Sequence, residues 1–240
     1  MTHQPTPVIH VVLIPGYWLG AWAWDDVLPP LRDAGLTPHA VTLPGLDPAD
    51  DDGANLTLDD HVAAVRDLVD GLEGDVVLVG HSGGAPVVQS VTDQRPERIR
   101  RTVYVDAGPM RDGAALFPEV PAATRAPFPD DAELAAAQLS AEGVDLPALR
   151  VRAVPQPTGV MRSPVHVSDR RRLGVPVTVI GTSLPGAVLR HLAEAGQLPT
   201  ELFDYAEVDL VDVPTGHWPM LSRPQALGRA IADAARTPRT

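Results

Sequence analysis

The sequence predicts an α/β fold built on a mostly parallel sheet of six strands with helices on both faces. Short β-branched runs alternate with helical stretches along the chain, which is typical of strand–helix–strand units. Hydrophobic residues make up 44% of the chain, which suits a sizeable core. The length of 240 residues favours one domain, because single α/β domains often reach roughly 200–250 residues.

The first half of the chain contains four predicted strands, each an apolar run that ends near turn residues. These strands cover residues 8–14, 39–43, 75–79 and 101–105. The predicted helices cover 21–34, with a break at Pro29-Pro30, then 57–72 and 85–94. The helix over 57–72 is the clearest, because Thr57 and Asp60 have capping-box spacing and its apolar residues form one stripe.

The pattern changes after the fourth strand. Residues 110–174 are rich in Pro, Ala and Arg, with one helix predicted near 131–141 and no strand pattern. Such a stretch is too long for an ordinary connection, so we predict an insertion that covers part of the molecule. Its arginines, which include Arg150, Arg152 and Arg170–Arg172, fit a solvated face better than a site for an anionic substrate.

The remaining residues complete the predicted core. Two strands are expected at 175–180 and 206–213, followed by a final helix from Ser222, with Gln225 in capping-box position, to about Ala235. The predicted division is therefore a core formed by residues 1–109 and 175–240 and a cap, or lid, formed by residues 110–174.

The composition excludes several chemistries. The chain has no cysteine and no lysine, so its 19 basic side chains are all arginine, and 31 acidic residues give a formal net charge of −12. Disulfides, thiolate nucleophiles, cysteine-ligated metals and lysine Schiff bases are therefore impossible. The acidic balance argues against nucleic acid or an anionic membrane as a partner. Because residues 1–7 carry no Lys or Arg and the following apolar run is short, we expect no signal peptide and a cytoplasmic protein.

The strongest motif is Gly80-His81-Ser82-Gly83-Gly84, which fits the pattern G-x-S-x-G between a predicted strand and a predicted helix. A strand-to-helix turn this tight requires very small residues two positions on either side of the serine. It holds the Ser82 hydroxyl out at the start of the helix, where backbone N–H groups face any developing negative charge. Ser82 is therefore the candidate nucleophile.

A serine hydroxyl needs a base, and His217 is the candidate. It lies in the loop Thr215–Pro219, after the last predicted strand and before the last helix. Serine followed by a histidine in the last loop is the chain order of α/β-hydrolases. His81 is adjacent to Ser82, but neighbouring residues in a tight turn point apart, so we expect His81 to shape the pocket.

These motifs resemble the α/β-hydrolase superfamily and, more narrowly, the group that contains plant methylesterases, hydroxynitrile lyases and their bacterial relatives. The resemblance rests on Val11–Trp24, Gly80–Gly84, Val103–Ala107, Pro155–Pro157 and Gly216–Pro224. It implies the α/β-hydrolase fold with a lid insertion after the fourth strand. The group usually has His-Gly where this chain has Pro15-Gly16.

The resemblance also implies an oxyanion hole formed by the backbone N–H groups of Tyr17 and Gly83. The residues support this assignment, because Gly16 permits a sharp turn and a loop after the first strand can reach the neighbouring third strand. Trp18 and Trp218, together with His81, are expected to line the substrate pocket. Trp22 and Trp24 fit a helix core better.

The position of the acid in the expected triad differs between this chain and most of the proteins it resembles. Most α/β-hydrolases carry the acid after the strand that follows the insertion, but Gly181–Gly186 contains no carboxylate. Asp106 ends the preceding strand, and some relatives similarly place the acid there. Because neighbouring parallel strands lie about 5 Å apart, Asp106 could still orient the His217 imidazole. Asp209 and Asp212 are weaker candidates.

The sequence therefore predicts a serine hydrolase, with no cofactor and no metal, that acts on a small ester, thioester or lactone. Hydroxynitrile lyases of this group use a lysine that this chain lacks, so cyanohydrin cleavage is disfavoured. A cofactor-free oxygenase, a cyclase or another lyase on the same scaffold stays open, as does a ligand receptor derived from it. The expected partner is a small-molecule substrate, and a homodimer is possible.

Overall fold

The fold was analysed in a computed structural model that describes residues 8–49, 53, 55–122 and 124–238. The prediction that the chain has no signal peptide rests on residues 1–7, which lie outside the described residues. The strands are β1 Ile9–Ile14, β2 Thr37–Ala40, β3 Asp75–His81, β4 Ile99–Val105, β5 Arg125–Ala126, β6 Gln156–Pro157, β7 Val177–Gly181 and β8 Val208–Asp212.

Six of these strands form one sheet in the order β2-β1-β3-β4-β7-β8. Every pair in this sheet is parallel, which confirms the predicted fold class. The carboxyl ends of β1, β3, β4 and β7 therefore meet at one edge, where open α/β sheets carry their functional loops.

The helices surround this sheet on both faces. They are α1 Leu28–Asp33, α2 Leu58–Asp70, α3 Ala85–Gln94, α4 Asp131–Ala136, α5 Leu146–Arg152, α6 Thr158–Arg162, α7 Gly186–Glu194, α8 Pro219–Ser222 and α9 Pro224–Arg236, with short 3-10 turns at Ala21–Trp24, Ser82–Gly84, Arg170–Gly174 and Leu202–Asp204. None of the described helices is long and apolar enough to cross a membrane.

The core has two halves because side chains of a strand alternate between the faces of the sheet. Val12 and Ile14 pack with the apolar faces of α2 and α3 on one side. Val11 and Leu13 pack with Trp24, α1 and α9 on the other. Because their side chains are buried on both faces of the sheet, the central strands appear in the sequence as continuous apolar runs.

Two helix boundaries differ from the prediction. The helix predicted over 21–34 is instead a 3-10 turn followed by α1. The break falls before Pro29 and Pro30, because the first turn of a helix tolerates residues that lack a backbone N–H. The final helix does not begin at a Ser222–Gln225 capping box, and that prediction was wrong. Pro224 starts α9 instead, with Arg223 as its N-cap residue.

The segment 110–174 contains more regular structure than its composition predicts. It carries α5 and α6 in addition to α4, which ends at Ala136, and β5 pairs with β6 in an antiparallel ribbon. The prediction of no strand in this segment was therefore wrong. Helix α7, between β7 and β8, was also not predicted, because it starts at Gly186 directly after Pro185, and these two residues usually indicate a turn.

The segment 110–174 is attached to the core through the loops at the carboxyl edge of the sheet. The Trp18 N–H donates to the Gln156 side chain at 3.1 Å, and the Val154 N–H donates to the Trp18 carbonyl at 2.9 Å. The His217 N–H donates to the Ser140 carbonyl at 2.7 Å. The segment thus holds the loops that follow β1 and β8.

His61 on α2 gives the fold a pH-sensitive core contact. Its side chain is buried, and its Nε2–H donates to the Pro44 carbonyl at 2.9 Å. Burial lowers the pKa of His61 to about 4, although this hydrogen bond partly opposes the shift. The folded protein therefore holds His61 neutral under conditions in which an exposed histidine would be charged.

Replacing His61 with Gln should make unfolding less sensitive to acid. Below about pH 6.5 the unfolded chain takes up a proton on His61 that the folded chain does not bind. The wild-type protein should therefore lose roughly 1.4 kcal/mol of unfolding free energy per pH unit through this residue, until the pH approaches the folded-state pKa of about 4. H61Q keeps an N–H donor for Pro44 and removes the titration, so its loss should be smaller by that amount.

Urea unfolding at about pH 7, 6 and 5 measures this difference in slope. His166 has a side chain that is 76% exposed, so His166→Gln is the matched control and should keep the wild-type slope. Parallel slopes for the wild-type protein and H61Q would contradict the role given to His61.

Candidate active site

Ser82 lies at the tight turn between β3 and α3, as the motif predicts. Its φ is +47°, a left-handed conformation that residues with a side chain rarely adopt. The flanking glycines leave no room for larger residues. A Cβ atom on Gly80 would lie 2.6 Å from Val88, and one on Gly84 would lie 2.8 Å from the Ile14 carbonyl oxygen. The local sequence therefore fixes the path of the chain around Ser82.

His217 lies directly beside Ser82. It belongs to the loop between β8 and α8, and its Nε2 is 2.9 Å from the Ser82 Oγ. The other ring nitrogen, Nδ1, is 2.7 Å from the Asp106 Oδ2. Because a carboxylate only accepts hydrogen bonds, Nδ1 carries the proton and Nε2 is free to accept the Ser82 hydroxyl hydrogen.

Asp106 follows the last residue of β4 and has a φ of +48°. Its Oδ1 accepts the Ser183 N–H at 2.9 Å, and its Oδ2 accepts the Ser183 hydroxyl at 2.8 Å. Burial raises the pKa of the Asp106 carboxyl, but hydrogen bonds from the His217 ring and the Ser183 N–H outweigh this effect and lower the pKa well below its usual range. The group is therefore ionised at neutral pH.

The other two carboxylates considered from the sequence make different contacts. Asp209 accepts a hydrogen bond from the buried Arg101 guanidinium at 2.6 Å. Asp212 accepts the Gly186 N–H at 2.7 Å and so holds the start of α7. Of the three candidates, Asp106 is the one that contacts His217.

Ser183 is a site residue that the sequence analysis missed. It follows β7 in the stretch 181–186, which contains no carboxylate, and it binds Asp106. Strand β7 pairs with β4, which brings Ser183 next to Asp106. The absence of a carboxylate in 181–186 was the signal that could have identified Ser183. If the acid is Asp106, at the end of the neighbouring strand, its carboxylate needs hydrogen-bond donors from this loop.

His81 supports the loop that carries His217. Its Nε2–H donates to the His217 carbonyl at 2.7 Å, and the centres of the two rings are 4.8 Å apart. The side chain is 1% exposed, and its Nδ1 has no hydrogen-bond partner among the described residues. Burial, and then the proximity of His217, lower the pKa of His81 to about 3. A neutral His81 therefore positions His217 without adding charge.

The loop after β1 reaches Ser82, as expected. A Cβ atom on Gly16 would lie 3.1 Å from the Ser82 Cβ, and one on Gly83 would lie 2.5 Å from the Tyr17 ring. Burial raises the pKa of the Tyr17 hydroxyl far above its usual range. Within the part of the chain that the structure describes, the Tyr17 N–H donates to no acceptor. The two backbone segments expected to form an oxyanion hole thus adjoin Ser82.

The three residues expected to line the pocket are all buried. Trp18 has a φ of +66°, and its indole N–H donates to the Ala126 carbonyl at 3.0 Å. Trp218 packs edge-on against His217, with 5.1 Å between ring centres. Phe128, from the segment 110–174, packs against both tryptophans. The rings of His81 and Trp218 thus contact the His217 ring, and Phe128 links Trp18 to Trp218. The role of Trp18, His81 and Trp218 as pocket residues stays a prediction.

The described residues contain no group of three or more His, Asp or Glu side chains placed to hold a metal ion. They do contain a cavity of about 500 Å³ next to Asp106. Neither Ser82 nor His217 lines this cavity. The expectations of a small-molecule partner, of no nucleic acid or membrane partner, of a possible homodimer and of a cytoplasmic location all stay predictions.

Comparisons with known proteins bear on the family and the fold of this chain. A model of the alpha/beta hydrolase family matches residues 11–230. A carbendazim hydrolyzing esterase from Nocardioides sp. (strain SG-4G) is 37% identical over 114 residues, which are 47% of this chain and 47% of that protein. Putative methylesterase 14, a chloroplastic protein of Arabidopsis thaliana, is 33% identical over 109 residues, which are 44% of this chain and 31% of that protein.

The matched stretches thus span less than half the length of these two relatives. A solved structure, that of a pyrethroid hydrolase from Sphingobium faniae JZ-2, superposes with a TM-score of 0.70 at 23% identity. It covers 96% of this chain and 98% of that one. At this identity, the likeness concerns the fold.

Ser183→Ala should raise the pKa of the Asp106 carboxyl, because it removes one of the donors that stabilise the charged form. Carbon-13 NMR of the aspartate carboxyl signals, assigned with Asp106→Asn, follows this titration. Ser183→Thr keeps a hydroxyl group and is the matched control. An Asp106 signal that titrates at the same pH in S183A and in the wild-type protein would show that the Ser183 hydroxyl does not stabilise the carboxylate.

Proposed function

The chain belongs to the alpha/beta hydrolase family, and we propose that it is a cofactor-free serine hydrolase of small carboxylic esters, thioesters or lactones. One observation carries this proposal: the Ser82 hydroxyl, the His217 imidazole and the Asp106 carboxylate form a continuous hydrogen-bonded chain. A serine, a base and a group that orients the base are the parts needed for nucleophilic acyl transfer.

The proposed reaction begins when the Ser82 Oγ attacks the ester carbonyl carbon. His217 Nε2 takes the hydroxyl proton, and the carbonyl oxygen becomes an oxyanion. The N–H groups of Tyr17 and Gly83 are proposed to bind this oxyanion. The tetrahedral intermediate then collapses, the carbon–oxygen bond to the alcohol breaks, and the leaving alkoxide takes the proton from His217.

Hydrolysis of the acyl-enzyme repeats these steps with water. His217 takes a proton from the water molecule as its oxygen attacks the acyl carbon, and the proton then returns to the Ser82 Oγ as the acid is released. Asp106 holds the imidazole in the tautomer that leaves Nε2 free, and its negative charge stabilises the imidazolium that forms in each half-reaction. Its low pKa keeps that charge present near neutral pH.

The segment 110–174 is proposed to act as a cap. Its Ser140 carbonyl holds the His217 backbone and its Gln156 side chain holds the Trp18 backbone, so it contacts loops on both sides of Ser82. A cap in this position would enclose the bound substrate and limit the access of bulk water to the site. The core would then consist of residues 1–109 and 175–240.

The relatives support an ester as the substrate class. Three of them are described as a carbendazim hydrolyzing esterase and as putative methylesterases. Because the matches cover less than half of those proteins, their substrates do not transfer to this chain.

A fluorophosphonate probe should label the wild-type protein once per chain, because an activated serine attacks the phosphorus and keeps the adduct. Ser82→Ala should abolish both the labelling and the hydrolysis of short aryl esters. Ser168 is exposed, and its hydroxyl forms no hydrogen bond within the described residues, where its backbone N–H binds Asp93. Ser168→Ala is therefore the matched control and should react normally. Labelling is read from the intact mass and located by peptide mapping.

Two results would contradict the proposal. Wild-type protein that neither reacts with the probe nor hydrolyses any short aryl ester would have no activated serine. Labelling that persists in S82A would place the nucleophile elsewhere.

A further inference from the structure

The cavity next to Asp106 lies between four parts of the fold. Its walls are the chain after β4, the end of β7, helix α7 and residues 198–202. Its volume of about 500 Å³ is within the range of small-molecule sites, roughly 300–1,000 Å³. The residues expected from the sequence to line a pocket, Trp18, His81 and Trp218, are not among its walls.

The cavity adjoins the proposed catalytic residues through Asp106. This carboxylate forms part of the cavity wall, and the imidazole of His217 lies between it and the Ser82 hydroxyl. Leu116 also lines the cavity, and the ring of the next residue, Phe117, lies 6.1 Å from the ring of Tyr17, which covers Gly83.

The chemistry of the walls selects an apolar ligand. The side chains facing the cavity include Met110, Leu116, Leu184 and Leu189, and Asp106 is the only charged residue among them. Both Asp106 oxygens already accept hydrogen bonds. A charged or strongly polar group placed here would lose its hydration without gaining new partners, whereas an aliphatic group would gain from burial.

The hydroxyl of Thr200, another lining residue, has both its donor and an acceptor site occupied. It donates to the Pro109 carbonyl at 2.7 Å and accepts the Leu202 N–H at 3.1 Å. No side chain that lines the cavity therefore has a hydrogen left to donate to a polar ligand.

A buried polar network holds two walls of the cavity together. The Gln89 amide exchanges two hydrogen bonds with the Met110 backbone, at 2.7 and 2.8 Å. The same Gln89 amide donates to Glu201 at 2.7 Å, and Glu201 pairs with the buried Arg172 at 2.7 Å. This network fixes Met110 relative to residues 200–202, so the cavity is formed before any ligand binds.

The surface beside the cavity is also apolar. Leu116, which lines the cavity, and the next residue, Phe117, are 39% and 44% exposed. We infer that this cavity binds an aliphatic group attached to the ester, so that the substrates are esters with an extended, uncharged aliphatic arm. This inference rests on the proposed ester hydrolysis.

Gly108→Leu tests the inference by filling the cavity. Gly108 is one of its lining residues, and a Cβ atom there would meet only the Thr200 hydroxyl, at 4.0 Å. The added side chain therefore enters empty space. A Cβ atom on Gly174 would meet nothing within 4 Å, so Gly174→Leu is the same substitution at an open surface position and is the matched control.

The readout is the ratio of kcat/KM for p-nitrophenyl hexanoate to that for p-nitrophenyl acetate, and the corresponding ratio for hexyl and methyl acetates. In the wild-type protein each buried methylene should raise kcat/KM about three- to fourfold. At least one of the two ratios should therefore exceed about tenfold. G108L should reduce that ratio at least about fivefold, whereas G174L should leave it unchanged. A response in the hexanoate-to-acetate ratio would place the aliphatic arm on the acyl side of the ester. A response in the hexyl-to-methyl ratio would place it on the alcohol side.

Leu116→Asp provides a second variant, because it adds a carboxylate to the wall at a partly exposed position and leaves the volume open. It should reduce the same ratio. Ratios that are unchanged in both G108L and L116D, while ester hydrolysis continues, would overturn the subsite and leave the proposed function standing.

Binding measured without turnover separates the two proposals. Calorimetry should show that at least one of methyl hexanoate and hexyl acetate binds Ser82→Ala and binds the double variant S82A/G108L at least about fivefold more weakly. This loss, in a wild-type protein that hydrolyses no ester, would support the subsite and contradict the proposed function. Equal affinity of S82A and S82A/G108L for both esters would overturn the subsite.

Discussion

The hydrogen bond of 2.7 Å between His217 Nδ1 and Asp106 Oδ2 is the contact on which the rest of the site depends. It joins the loop after β8 to the end of β4, although β7 lies between these two strands in the sheet. The bond sets the tautomer of the imidazole and therefore which nitrogen faces Ser82. Ser183, in the loop after the intervening strand β7, donates two hydrogen bonds to Asp106.

Three residues around this bond have left-handed backbone conformations although they carry side chains: Trp18, Ser82 and Asp106. Such conformations cost roughly 1–3 kcal/mol each and persist only where neighbours hold them. Here the holding contacts come from distant parts of the chain. Gln156 binds the Trp18 N–H and Ser183 binds the Asp106 carboxylate, so the segment 110–174 and the sheet edge together maintain the strained geometry.

Local constraints could be predicted from the sequence, and long-range contacts could not. The turn at Ser82 was predictable because only Gly fits at positions 80 and 84. Asp106 could be proposed because parallel strand ends lie side by side, and this placed it near His217. The ribbon formed by β5 and β6 was missed, since each strand has two residues and leaves no periodic pattern. The contact between Gln156 and Trp18 joins residues 138 positions apart, and composition carries no record of it.

The assignment of Asp106 as the acid is tested most directly by the rate at which p-nitrophenyl acetate acylates Ser82. Stopped-flow measurement follows this rate as the initial burst of p-nitrophenol. Asp106→Asn preserves the shape of the side chain but loses the charge that sets the tautomer of His217. It should slow acylation by about 100-fold or more. Asp212→Asn, at the neighbouring carboxylate that holds α7, should stay within about threefold of the wild-type rate. A near-wild-type rate in D106N, or a large loss in D212N instead, would contradict the assignment of Asp106 as the acid that supports His217.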